Sequence, residues 1–418
     1  MGKMERDINK LCMHFCPEGV DYYKLGELGK FYGGLTGKNK SDFSDGNAKF
    51  ISYRNVYNNP ALKLDVEDKV KISSNEKQNT LERGDIIFTG SSETADECGL
   101  SSVVTQDVNE KIYLNSFCFI FRFKNPKIIL PDFSKHLFRS EYLRHQIGKT
   151  ASGVTRFNVS KKLMANVTIP LPPLPIQQEI VRILDTFTNL TAELTAELTA
   201  RRKQYEYYRD ELLTFGEDVP RVQLGNIGPV CMCKRILKSQ TNTVGGVPFY
   251  KIGTFGKTAN AYISEETYQE YRSMYSFPNK GDILISAAGT IGRTVVYDGK
   301  PAYFQDSNIV WIANDETRVL NRFLAYCYEK KPWNISSGGT IARLYNENIQ
   351  KAVIPAPSLE RQMQIVSQLE KMEDLCNSIT VGLPAEITAR QKQYEYYRDK
   401  LLTFKESTVY KGLHRVTV

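Results

Sequence analysis

The feature that most constrains this 418-residue chain is a segment written twice. Residues 201–215 read RRKQYEYYRDELLTF. Residues 390–404 read RQKQYEYYRDKLLTF, 189 positions later, and differ only at Arg202/Gln391 and Glu211/Lys400. An internal repeat sets the architecture before local propensity does. Fainter echoes keep the same order. KLGELG (24–29) is matched by QLGNIG (223–228), GDII (84–87) by GDIL (281–284), and IPLPPLPIQQEIVRIL (169–184) by IPAPSLERQMQIVSQL (354–369). The chain therefore reads as one two-part unit used twice: a diverged domain, then a preserved helical segment.

Pro170, Pro172, Pro173 and Pro175 end any earlier helix and fix an extended lead-in to the first helical segment. From there an apolar stripe runs Ile176, Ile180, Ile183, Phe187, Leu190, Leu194, Leu198, Tyr205, Tyr208, Leu212 and Phe215. Steps of three and four make it a heptad-like seam. Two successive steps of four (190, 194, 198) form a stutter. The second stripe is Ile365, Leu369, Met372, Cys376, Ile379, Leu383, Ile387, Tyr394, Tyr397, Leu401 and Phe404, each member taken as 189 positions after its counterpart. Arg201 and Arg390 are the charges in the seams, and Gly382 and Pro384 predict a kink or break in the second helix. From Ile176 to Phe215 a helix would run roughly 60 Å, longer than one small domain is wide. Seams this long call for a helical partner. With a whole domain between them, the two helices are expected to pair antiparallel about a pseudo-two-fold axis.

The domains read as mixed. DIIFTG (85–90), FCFIFRF (117–123), DILISAA (282–288) and NIVWIA (308–313) are strand candidates, and a shorter helix is expected in 134–148 and in 319–330. The fold class is α+β (mixed α/β): two domains separated by two long antiparallel, coiled-coil-like helices, pseudo-two-fold symmetric.

No catalytic constellation emerges. GGLTGKN (33–39) has the wrong spacing for a phosphate-binding loop and ends in Asn39, and no G-x-G-x-x-G follows a strand to open a helix. No [DNS]-P-P-[FYW] is present to hold a target amine, since the double proline at 172–173 follows Leu171. Pro131-Asp132 lacks the carboxylate partners a magnesium nuclease needs, and the four histidines show no triad order. Cys12, Cys16 and His14, and the C-x-C of Cys231 and Cys233, lack a second half-site for zinc, so no metal is expected. No apolar run has membrane-span length, and MGKMERDINK is too polar for a signal peptide, which places the chain in the cytoplasm.

Signals for nucleic acid are stronger. The formal net charge is +8, which suits an anionic partner. KFISYRNVYNN (49–59) and PFYKIGTFGK (248–257) mix cations, Asn and Tyr at alternating positions. Arg and Asn are the side chains that read guanine and adenine edges. SGVTRFN (152–158), SGGTIARLYN (337–346) and SAAGTIGR (286–293) share a Gly–Thr–Arg theme. There Gly permits close backbone approach, while Thr and Arg can reach phosphate. The DNA-contact candidates are Arg54, Asn55, Thr155, Arg156, Lys251, Arg293, Thr340 and Arg343.

The Pro-rich lead-in, the long helix and KQYEYYRDxLLTF resemble the specificity subunit of type I restriction–modification systems, over the whole chain. LTAELTAELTA (190–200) matches a short repeat known from some members. The resemblance implies a first target-recognition domain with its N-terminal segment (1–168), a first conserved helix (169–216), a second recognition domain (217–353), a second conserved helix (354–405) and a tail (406–418). It implies that each domain reads one half of a bipartite double-stranded DNA target and that the helices set the spacer. Two modification (methyltransferase) subunits would dock on the helices, and two restriction subunits would complete the endonuclease and translocase. S-adenosylmethionine, ATP and Mg would sit on those partners; this chain would hold no cofactor and no catalytic residue. Because Tyr205 and Tyr208, like Tyr394 and Tyr397, continue the seam while Glu206, Arg209 and Asp210 are expected outside with both signs, the repeated segment reads as the methyltransferase dock. The competing reading is a non-catalytic helical adaptor that binds DNA incidentally.

Overall fold

The computed structural model describes residues 3–334, 343–377 and 382–407. It divides into two compact units. One comprises Met1–Thr195 with Glu386–Val418, and the other Ala196–Ala385.

Both units use the same α+β plan. In the first, Gly29–Gly33, Cys118–Phe123, Ile86–Thr89 and Ser101–Val103 form an antiparallel sheet in that order. In the second the order is Val230–Cys231, Ile309–Ile312, Ile283–Ser286 and Thr294–Val296. All four segments predicted as strands thus supply the two central strands of each sheet. Each unit adds one parallel pair: Ala48–Ile51 with Tyr113–Leu114, and Val247–Tyr250 with Tyr303–Phe304. The helix expected in 134–148 is two helices, Pro131–Leu137 and Glu141–Gly148, with Ser140 capping the second. The one expected in 319–330 is Asn321–Glu329.

The repeated Leu-Gly motifs close each domain on itself. Tyr22–Lys24 pairs with Thr168–Pro170, and Arg221–Gln223 with Val353–Pro355, just before each Pro-rich lead-in. The chain then turns so tightly that a Cβ on Gly29 would lie 2.4 Å from the Arg122 carbonyl oxygen, and one on Gly228 2.1 Å from that of Ala313. The Gly-Asp-Ile motifs are turns with Gly84 and Gly281 at positive φ. Asp85 and Asp282 are buried and accept from the backbone N–H of Glu82 and of Asn279. Their second partners differ. Arg122 grips Asp85 with two 2.7 Å bonds, whereas the Asn321 amide faces Asp282 at 3.4 Å. Burial pushes the Asp85 carboxyl upward, against the pull of Arg122.

The first long helix is Leu174–Leu212. The second segment is described as two helices, Leu359–Asn377 and Leu383–Leu401, and the seam position Ile379 lies outside the described residues. Ile176, Ile180 and Leu184 are fully buried in the core of the first domain, worth about 1.5–3 kcal/mol each at most. Leu190, Leu194 and Leu198 are only half-buried. The helix Leu383–Leu401 joins that same core through Leu401, while Tyr397 stacks on Phe187 at 5.3 Å. Further along, Tyr22, whose strand partner is Pro170, donates to the Phe404 carbonyl. As one helix runs back from 187 toward 170 the other runs on from 397 to 404, so they are antiparallel. In the second unit, Tyr205, Leu212 and Phe215 pack on the core that holds Ile365 and Leu369. Each domain is therefore held by the start of the helix directly after it and by the tyrosine segment of the other helix.

The uniform 189-residue offset of the seams needs correction. Gln177 accepts from the Leu130 N–H and donates to the Ile128 and Pro172 carbonyls. Gln362 accepts from Leu320 and donates to Arg318 and Pro357 in the same manner. These glutamines stand 185 positions apart (177 to 362), so Ile180 matches Ile365 and Leu184 matches Leu369. At the tyrosine segment the offset is 189: Arg201–Gln204 repeats as Arg390–Gln393, and Thr214 bonds the Asp210 carbonyl as Thr403 bonds that of Asp399. The second segment therefore carries four extra residues between these points. The 189 offset still relates 190–200, the stretch of the stutter, to 379–389, and the seam position Ile379 lies outside the described residues.

Candidate nucleic-acid interface

In the first domain the stretch expected to alternate, 49–59, is a strand that ends at Ile51 followed by the helix Tyr53–Asn58. The helix sets Tyr53 and Tyr57 one turn apart, stacked at 6.2 Å and 23°. Opposite them a hairpin, Ala151–Ser152 with Phe157–Val159, extends from the strand Ser91–Ser92. Gly153 lets the hairpin close: its φ is +151°, and a Cβ there would lie 2.0 Å from the Arg156 carbonyl oxygen. The glycine expected to admit a ligand backbone thus admits the hairpin's own. Thr155 and Arg156 are exposed on the tip. The Arg156 guanidinium lies over Phe117 at 5.1 Å and donates to Ser91 Oγ at 3.3 Å.

Tyr53, Tyr57, Ser91, Ser92, Glu97 and Phe117 line a cleft of about 480 Å³ together with Thr155, Arg156 and the exposed Glu93. Glu97 accepts from the Tyr57 hydroxyl and from Thr94 Oγ1 at 2.9 Å, and more weakly from Ser92 Oγ. The Tyr57 hydroxyl, then Thr94, holds this carboxyl below the usual range. Two half-buried arginines set the cleft walls. Arg139 donates to the carbonyls of Ser101, Val56 and Tyr57 and so ties down the end of the tyrosine helix. Arg144 donates to the carbonyls of Asp96, Cys98 and Gly99 and fixes the loop that carries Glu97. Burial pulls Arg139 down to about 10, so it stays charged near neutrality.

Of the other first-domain candidates, Arg54 is exposed between the two tyrosines. The Asn55 amide donates to the Lys63 carbonyl at 2.8 Å and accepts from Lys63 N–H and from Asn59. It ties its helix to the next loop rather than presenting an edge to a base. In the second domain Lys251 is exposed and directly follows the strand Val247–Tyr250. Topologically that is the place of Ser52, beside the first-domain helix. Arg293 donates to the Phe255 carbonyl and Arg343 to that of Ser307, so each also braces a loop. Thr340 lies outside the described residues. Sequence reasoning thus found Thr155 and Arg156 but missed Tyr53, Tyr57, Glu97, Phe117, Arg139 and Arg144. Two tyrosines four apart beside Arg54 were a usable signal. Glu97, in an acidic loop, offered none.

The repeated tyrosine segment is used differently from expectation. Tyr394 bonds to His136 at 2.8 Å and Tyr397 stacks on Phe187. Tyr205 is half-buried, and burial raises its pKa. Tyr208 alone of the four is exposed, at 40%. Arg209, placed outside by the seam, instead covers Tyr205 and pairs with Glu329 at 2.8 Å. The outward tyrosines are Tyr207, 65% exposed, and Tyr396, 58% exposed. They are true counterparts, each edge-on to the next tyrosine at 77°. Lys203 and Glu206 beside the one, and Lys392 and Glu395 beside the other, are exposed too. Among the described residues no helix is long and apolar enough to cross a membrane.

Comparison with known proteins agrees with this plan. A putative type I restriction enzyme specificity subunit of Haemophilus influenzae is 57% identical over 261 residues, 60% of this chain and 68% of that protein. The Escherichia coli type I restriction enzyme EcoR124I/EcoR124II specificity subunit is 35% identical over 273 residues, 60% of this chain and 66% of its own. A solved chain from work on complex assembly and conformational transition of the type I R-M system shares the fold, with TM-score 0.62 at 18% identity over 92% of this chain and 97% of that one. The family described as the type I restriction modification DNA specificity domain matches residues 17–201 and 216–389, which takes in both domains and the larger part of each helical segment, stopping at the start of each tyrosine segment. With one scaffold built twice and the family matched on each copy, the chain belongs to the type I restriction–modification DNA specificity family.

Proposed function

We propose that this chain is the non-catalytic specificity subunit of a cytoplasmic type I complex, in which each domain reads one half of a bipartite DNA target and the paired helices set the unread spacer. The observation that carries this is a single scaffold, pinned by Gln177 and Gln362 through the same three contacts, which presents two unlike surfaces. Two readers on one frame match two different half-sites. The opposite holds for the helical faces around Tyr207 and Tyr396, which are alike. Like surfaces suit two copies of one partner, and we assign them to two methyltransferase subunits. Those subunits would bring S-adenosylmethionine and adenine methylation; two restriction subunits would bring ATP, Mg and cleavage.

Co-expression with the candidate methyltransferase tests the reading. Site-specific adenine methylation should appear only when both chains are present. Exchange of residues 20–165 for another such domain should change one half-site and leave the other. Methylation without this chain, or a change in both half-sites, would refute it.

A further inference from the structure

The cleft in the first domain is lined by two carboxylates, Glu93 and Glu97, where a DNA-binding surface would be expected to hold only cations; Glu93 is exposed, and Glu97 is the one fixed by Tyr57 and Thr94. Glu97 sits in the same cleft as Thr155 and Arg156 and is kept ionised by the hydroxyls around it. Beside a phosphate such a group would be repelled, so beyond holding Tyr57 and Thr94 it has a use toward DNA only where a base edge can donate to it. Its two oxygens offer about four acceptor positions. Tyr57 takes one on Oε1, Thr94 and Ser92 take those on Oε2, and one on Oε1 is left. Arg156, held over the half-exposed Phe117, offers the complementary donor fork.

Resting on the reading that this domain binds DNA, we propose that Glu97 reads the exocyclic amine of a cytosine in the major groove, with Arg156 on the guanine O6 and N7 edge beside it. Cytosine presents a donor at N4 with no acceptor next to it on the same base, whereas adenine sets N7 beside its amine and would repel the second oxygen. The cleft is set in place before DNA arrives. Arg144 fixes the Glu97 loop and Arg139 the Tyr57 helix, each through three backbone carbonyls. The carboxylate therefore meets the base without a prior ordering step.

The full chain with its methyltransferase partner is assayed on duplexes in which each cytosine of the mapped target is replaced in turn by 2-pyrimidinone, which lacks the N4 amine. One replacement should slow methylation by the wild-type complex by about 5- to 150-fold. In Glu97→Ala the same replacement should have no further effect, and the mapped motif should relax at that one base while the other half-site is kept. Retention of the other half-site shows that Glu97→Ala is folded and assembled. The proposal is overturned if no cytosine is sensitive, or if Glu97→Ala retains the sensitivity. A wild-type complex that methylates at no specific site would instead remove the DNA-specificity reading beneath it.

Discussion

Deletion of 195–198, one TAEL unit, tests the helices as a ruler. The helix Leu174–Leu212 is unbroken through this stretch. Each residue removed shortens it by about 1.5 Å and turns the C-terminal remainder of the helix by about 100°. Four residues thus take away about 6 Å and leave a net rotation of about 40°. At about 3.4 Å per base pair, the unread spacer should shrink by one or two base pairs. The deletion should not unfold the chain. Thr195, Ala196 and Glu197 are exposed and Leu198 is half-buried, so the loss is about 1 kcal/mol of apolar burial. The Glu197–Arg201 pair, 3.4 Å apart and exposed, adds a few tenths of a kcal/mol at most. The seam keeps its phase, since Arg201 would follow Leu194 by three and Tyr205 would follow Arg201 by four. The assay is methylation mapping of the variant complex, with urea unfolding to establish that it is folded. An unchanged spacer, or altered half-site sequences, would refute the reasoning.

Other tests address the scaffold and the dock. Arg122→Ala strands the buried Asp85 carboxylate and should cost about 3–5 kcal/mol in urea unfolding, and Asp85→Asn with Arg122→Met should regain most of it. His136 is 1% exposed between Asp185 and Tyr394, and burial lowers its pKa below the ordinary 6.5 despite the pull of Asp185. The unfolded chain therefore takes up a proton the folded one refuses, so stability should fall as pH drops below about 6.5, by at most about 1.4 kcal/mol per pH unit for one proton. His136→Gln should flatten that slope between pH 7 and 5. Asp185, held low on balance by His136 and Lys135 against burial, contributes stability that is lost only below the ordinary carboxylate range, outside this window. Tyr207→Ala with Tyr396→Ala should weaken capture of the methyltransferase about 10-fold or more in pull-down titrations while leaving the urea midpoint near wild type, since both rings are exposed.

The architecture was legible because it rests on local and periodic signals. A segment repeated almost unchanged, a proline-fixed lead-in and an apolar stripe every three or four residues specify two copies of a domain and helix whatever packs around them. The central strands were legible for the same reason, as short β-branched and aromatic runs, two of them directly after Gly-Asp turns. Register was not legible. The four extra residues in the second segment keep an apolar residue every three or four positions, so the sequence stripe hides them, and only the matched contacts of Gln177 and Gln362 reveal the shift. Nor does an apolar or aromatic residue on a seam say whether it meets the core or faces out. Tyr394 is taken by His136, while Tyr208, on the other seam, is exposed.

The candidate site was the least visible part, because it is made by residues far apart in sequence. Arg156 and Thr155 carried a motif. Glu97 and Phe117 became neighbours of theirs only when the strand Ser91–Ser92 paired with Phe157–Val159. Asn55, chosen as a base reader from its type, is used by the loop at Lys63. The sequence alone determined that one scaffold is built twice, since periodicity and repetition are properties of the chain. Which side chains face a ligand, which brace a loop and which fill a core was decided only by tertiary structure, because each buried donor is claimed by whichever acceptor the fold brings within reach.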